Sequence, residues 1–337
     1  MSALAQNPHA ALASLPEADT LVYISPQRIL NDVAPRLMAP ADLTKMRSTF
    51  ADMKQAAGVD PSAVEYIVIA MRFNKPASDL SFVAPDAMVV IGGDFSSDSL
   101  MTLSQLYLQD KLRVEKYGSK TISLMKIDPI AEEAVKNPVL KSFAEIGVVP
   151  LSANSIAVGN LRYLKSAIDA ADGNGRISPA SLESLLRDPN ALISISGTPL
   201  TSFAKSFGMM GLENTSRESH CDTRFGNFYA AVTMNSPNFS LRGAMNADNP
   251  DTAKIIQGLV WSLMQQGIGA VPDKDAQTLL KALKLTAKDN EIVVEADVPE
   301  TIVADFVKSV MAPPVRKVEI TSPKPAPKRP VRRKRTH

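Results

Sequence analysis

The sequence predicts an α+β fold of two related units, each a mostly antiparallel sheet with helices on one face, in the order β-α-β-β-α-β-β-α. Three observations predict it. Short β-rich runs follow one another across turn-forming residues, which pairs successive strands antiparallel. Stretches with apolar residues at three- and four-residue spacing separate those runs and read as helices. The opening pattern Leu12-Ala13-Ser14-Leu15, a polar gap, then Leu21-Val22-Tyr23-Ile24-Ser25 returns as Leu182-Glu183-Ser184-Leu185, a polar gap, then Leu192-Ile193-Ser194-Ile195-Ser196. A pattern that returns with its followers in the same order predicts an internal duplication. The expected divisions are a terminal piece at 1–14, unit one at 15–180, unit two at 181–312 and a tail at 313–337.

In unit one, a strand at 21–25 stops at Pro26, and helical segments follow at 27–38 and 41–57. Leu43, Met46, Phe50, Met53 and Ala57 recur at helical spacing and predict one buried stripe, with Gly58 as the stop. The runs VEYIVIAMRF at 64–73 and AMVVIG at 87–92 read as strands. A helix is expected from 97 to about 112 with Ser96 or Ser97 as its cap, then a strand at 121–127 and a helical excursion at 131–144. A strand at 155–158, the turn Gly159-Asn160 and an amphipathic helix at 161–171 close the unit. Unit two repeats the order with strands at 192–196, 228–234, 239–247, 285–288 and 291–296. Asn235-Ser236-Pro237-Asn238 and Asp289-Asn290 supply its tight turns. Its helices are expected at 252–265, 275–283 and 300–311. The first of these carries Ile255, Ile256, Leu259, Val260, Leu263 and Met264 on one face.

A chain of 337 residues with 45% apolar and 21% charged content has material for two real cores, but only 5% aromatic residues to build them. Leu, Ile, Val, Met and Ala must therefore do most of the packing. No apolar run reaches the ~18–20 residues that cross a bilayer as a helix. Cys221 is the one cysteine, so no disulfide forms within the chain. Charge is unevenly spread. Residues 312–337 hold nine Lys/Arg against Glu319, a net +8, and since the whole chain is +2 the remainder is −6. The tail SPKPAPKRPVRRKRTH has Val331 as its one aliphatic residue and is expected to be disordered.

No spacing yields a catalytic set, a cofactor fingerprint or a metal cluster. Asp172-Gly173-Asn174-Gly175-Arg176-Ile177-Ser178 has the look of the middle of a calcium-binding loop. With Gly175 at the obligatory glycine, however, Ala170 and Ser181 stand where two acidic ligands belong. It reads better as a helix end and linker. Gly92-Gly93-Asp94-Phe95 lies between a strand and a helix but lacks the spacing of a phosphate-binding loop, and reads as a turn with a helix cap. Ser219-His220-Cys221-Asp222 puts a nucleophile beside a base on adjacent residues, whose side chains diverge in an extended chain, so a polar surface loop is the better account.

Two segments are expected to contact partners. The stretch 203–212, with Phe207, Met209 and Met210, is apolar and bracketed by Gly208 and Gly211. It reads either as a partner-binding flap or as a helix packed on the second unit's sheet. Lys328, Arg329, Arg332, Arg333, Lys334 and Arg335 form a basic run that binds polyanions in a salt-dependent way, without aromatic residues to stack bases. Its expected targets are an anionic polymer or lipid headgroups in an envelope, or nucleic acid inside a cell.

The strand at Ala18-Asp19-Thr20-Leu21-Val22-Tyr23-Ile24, with Ile156-Ala157-Val158-Gly159 before an alanine-rich helix, resembles exported bacterial proteins of unknown function built from duplicated α+β units. The resemblance implies export and a non-enzymatic role and transfers no catalytic residue. Ala3 and Ala5 in Ser2-Ala3-Leu4-Ala5-Gln6 have the small-x-small form of a signal-peptidase site, as if the start lay inside a signal peptide. The reading is a non-catalytic, periplasmic or secreted protein that binds a partner. The alternative is a cytoplasmic, polyanion-associated protein acting through its tail.

Overall fold

The computed structural model describes residues 11–58, 60–73, 85–108, 112–127, 144–198, 225–270 and 274–311. Strand β1 (Thr20–Ile24) is followed by a broken helical stretch: α1 (Pro26–Arg28), a π-helical turn (Ile29–Val33) and α2 (Ala34–Leu37). Then come α3 (Pro40–Ala57), a 3-10 turn (Pro61–Ala63), β2 (Val64–Arg72), β3 (Asp86–Gly93) and α4 (Ser97–Leu108). Next are β4 (Leu112–Tyr117), β5 (Lys120–Lys126), β6 (Glu145–Ser152), β7 (Ser155–Gly159), α5 (Leu161–Ala171) and α6 (Pro179–Leu185). The rest is β8 (Ile193–Gly197), β9 (Phe225–Asn235), β10 (Asn238–Ala247), α7 (Pro250–Ala270), α8 (Lys274–Ala282), β11 (Lys284–Lys288), β12 (Glu291–Pro299) and α9 (Glu300–Met311).

Local chemistry sets these boundaries. Proline occupies the first turn of α1, α3 and α6, where its missing N–H costs nothing. Asn160 caps α5 by accepting the Tyr163 amide at 3.2 Å, and Ser178 caps α6 through the Ser181 amide at 3.1 Å. Gly58 ends α3 in the left-handed conformation at φ 63° and returns its amide to the Lys54 carbonyl. The expected hairpin turns at 235–238 and 289–290 are present, joining β9 to β10 and β11 to β12.

All described strand pairs are antiparallel, the α+β class the sequence predicts, and they form one 12-stranded sheet. Its order is β11-β12-β10-β9-β8-β1-β2-β3-β7-β6-β5-β4. The joint is β1 against β8, with Tyr23 opposite Ser194 and Ile24 opposite Ile193. The two expected units therefore share a sheet, and their helices cross between them. Leu182 and Leu185 of α6 enter the core of the front half, while Val33 and Leu37 pack with Leu192 and Phe239 of the back half.

Side chains alternate between two sheet faces. On the front face, Leu21, Tyr66, Val68, Ala70, Met88, Val90, Ile122, Leu124, Val149 and Ala157 pack under Tyr163, Leu164, Ala167 and Ile168 of α5 and under α6. On the back face, the helices cover the other half of the sheet. Val232, Met234 and Phe239 lie with α2 and with Val303 and Ala304 of α9, and Met245, Leu285 and Ile292 lie under Ala253 and Ile256 of α7.

Three expectations need correction. The α3 stripe is not buried: Leu43, Met46 and Phe50 are half-buried and Met53 is 43% exposed. The helix makes its closest approaches to α2 and the 3-10 turn, not to the sheet. In α7, Ile256 is buried but its neighbour Ile255 is 62% exposed, so the two do not share a face. Strands β4 and β6 occupy 112–117 and 145–152, where the sequence predicts no strand, because their polar and glycine residues blur the alternation.

Candidate functional site

The back face of the sheet's centre carries two rows of aliphatic side chains in register. One row runs Ile195, Val22, Ile69, Val89, Val158, Val148 across β8, β1, β2, β3, β7 and β6. The next runs Ile193, Ile24, Ile67, Ile91, Ile156, Pro150 across the same strands. Branched aliphatics suit a pleated sheet, and those in β2 and β3 occupy both parities: Val68 and Val90 face front while Ile67, Ile69, Val89 and Ile91 face back. A strand apolar on both faces is built to be covered on both.

The cover is unequal. Val68 and Val90 are buried, whereas eleven of the twelve row residues are half-buried and Ile193 is 39% exposed. None of the twelve belongs to a buried core cluster among the described residues. The helices on α2, α9 and α7 stand on the same face beyond β8 and form a wall along that side. No row residue ionises or carries a polar side chain, so the floor offers contact area and shape, without charge.

The front face closes against an ionic knot at one end of β2 and β3. Asp86, its side chain 4% exposed, accepts from Arg72 Nη2 at 3.1 Å, from Arg162 Nη2 at 2.7 Å and from Asn160 Nδ2 at 3.2 Å. The Arg72 guanidinium lies over the Tyr163 ring, 4.8 Å from its centroid. The Tyr163 hydroxyl donates to the Glu17 carbonyl at 2.9 Å. Burial pushes the Tyr163 phenol well above its ordinary value, and burial followed by the nearby Glu65 charge pushes Tyr66 up to about 12. Asp86 binds Asn160 and Arg162 at the start of α5 while the Tyr163 hydroxyl ties α5 to Glu17, which makes the knot structural.

The motifs read from sequence resolve similarly. Gly93 donates its amide to Asn154 and Asp94 donates to Ala63, so these amides serve the fold and cradle no phosphate; Ser96 Oγ caps α4 through the Ser99 amide. Asp172 sits at the end of α5, where Arg176 donates to the Ala170 and Ala171 carbonyls. Among the described residues no three Asp, Glu, His or Cys gather as a metal set. A polar depression of about 670 Å³ lies at the β10 and β12 ends, lined by Asn246, Ala247, Lys288, Asp289, Asn290 and Glu291. Phe207, Met209 and Met210, the 219–222 loop, and the basic run Lys328, Arg329, Arg332, Arg333, Lys334 and Arg335 lie outside the described residues. The aliphatic rows were missed in the sequence, although the double parity of VEYIVIAM was a visible signal.

No protein-family model and no curated protein matches the sequence. Among solved structures the chain is similar to TP0453 in its crystal form III, with a TM-score of 0.45 and 10% identity over 88% of this chain and 97% of that one. Crystal form I of TP0453 gives a TM-score of 0.44 and 10% identity, covering 89% and 96%. No described helix is long and apolar enough to cross a membrane.

Proposed function

We propose that this chain is a non-catalytic binding protein whose partner surface is the back face of the central sheet. The observation that carries the reading is the pair of six-strand aliphatic rows, in register and, among the described residues, outside the buried clusters. Leaving part of each side chain in water forgoes roughly 25 cal/mol for each Å² left uncovered. An apolar partner laid on the rows recovers that energy. Export belongs to the same proposal and is supported by the resemblance of residues 18–24 and 156–159 to exported bacterial proteins.

Carbene footprinting with an apolar diazirine reagent tests the surface. Label is expected to concentrate on Ile67, Ile69, Val89, Ile91 and Val158. Label confined to α3 and α7, with these five residues protected, overturns the reading. A second reading, favoured by the net +8 of residues 312–337, has the chain held to a polyanion by its tail. Retention on heparin that is unchanged by deleting 313–337 would end that reading.

A further inference from the structure

We infer that the occupant of the two rows is a single aliphatic chain of a dispersed amphiphile, such as a long-chain fatty acid or alcohol; this rests on the reading of the back face as the binding surface. Three features select that occupant over a protein or a bilayer.

The first is area. Six strands spaced about 4.8 Å apart, two rows deep, give a floor on the order of 400 Å². A stable protein pair needs about 800 Å² from each partner. The second is the wall. The helices over Val232, Phe239 and Ile292 rise beside the floor on the same face, and a helix is about 10 Å thick. A planar bilayer meets the helices first and is held off the floor, while a narrow chain can lie along their foot. The third is chemistry. Eleven of the twelve residues are Val or Ile and the twelfth is Pro150, with no donor, acceptor or aromatic ring on any side chain. Such a floor grips methylene groups and ignores a headgroup. Chain length, and not headgroup charge, should therefore govern affinity.

Titrating the full chain with cis-parinaric acid, followed by its fluorescence, tests this, with dodecanol and dodecanoate as competitors. Saturable binding at one chain per protein is expected, with the two competitors within about threefold of each other. The double variant Val89→Thr/Val158→Thr keeps side-chain shape but places hydroxyls in the row; it should weaken binding at least tenfold. Met53→Ser, on the exposed stripe of α3, should leave binding unchanged. Circular dichroism of the double variant checks that it folds. If it does not, Ile69→Ala, which trims the same row without adding a polar atom, replaces it with the same expected direction. Binding lost on Met53→Ser but kept in the row variants overturns the inference. So does adsorption to phosphatidylcholine vesicles without binding of the free probe. If instead sedimentation shows a dimer that the row variants dissociate, the single-chain occupant is wrong and the binding surface stands. If the row variants alter neither probe binding nor self-association, both readings fall.

Discussion

Arg162 places its Nη2 atom 2.7 Å from Oδ2 of Asp86 while most of its side chain remains in water. The carboxylate is buried and the cation is not, so the two partners are worth different amounts. Asp86→Ala strands Arg72 and Asn160 as well as Arg162, and should cost about 1–3 kcal/mol. Arg162→Ala leaves Asp86 with Arg72 and Asn160 and should cost less than about 1 kcal/mol, as exposed pairs do. Urea denaturation of both variants checks the order. Equal losses would contradict it.

Tyr163 is fully buried and its hydroxyl donates to the Glu17 carbonyl, which ties α5 to the chain entering β1. Tyr163→Phe keeps the ring under Arg72 and removes that donor. A loss of about 1 kcal/mol is expected. Hydrogen exchange should show the loosening at residues 15–20 before it spreads to the sheet.

Alkaline pH should act through Tyr66. Its folded pKa is raised from 10.0 to about 12, so the folded state holds the phenolic proton more tightly than the unfolded chain does. That contribution is fully present below pH 10 and is lost as pH rises through about 12. Absorbance of the phenolate at alkaline pH, compared between the protein and Tyr66→Phe, checks the sign. A Tyr66 that titrates at the ordinary value while the protein is still folded would contradict it.

Gly92 lies against the Tyr66 ring so closely that a Cβ there would overlap it. Gly92→Ala should therefore cost about 1–3 kcal/mol by overpacking. In a Tyr66→Val background the same substitution should cost much less, since the obstructing ring is gone. Thermal denaturation of the four-member cycle measures the coupling. Additive losses would show that the ring is not the obstacle.

Elements whose cause is local were legible in the sequence. The hairpin turns at 235–238 and 289–290, the Ser96 cap and the Gly58 stop each depend on a few neighbouring residues. What depends on distant neighbours was not legible. Helical spacing predicts that Leu43, Met46, Phe50 and Met53 share a side, but it cannot say whether anything lies against that side. The candidate site is of the same kind. Ile67 and Ile69 can be seen to alternate with Val68, but their alignment with Val89, Val158 and Ile195 is a matter of register across six strands.

The central joint of the sheet also sets an order of events at the ribosome. Ile193, opposite which Ile24 finally lies, emerges about 170 residues after it. At ~5–20 residues per second, one margin of β1 waits roughly ten to thirty seconds for its neighbour. During that interval a half-formed sheet presents an open ribbon edge to every nascent chain nearby. The cell's folding helpers therefore have their most exposed client before the second half of this protein has been made.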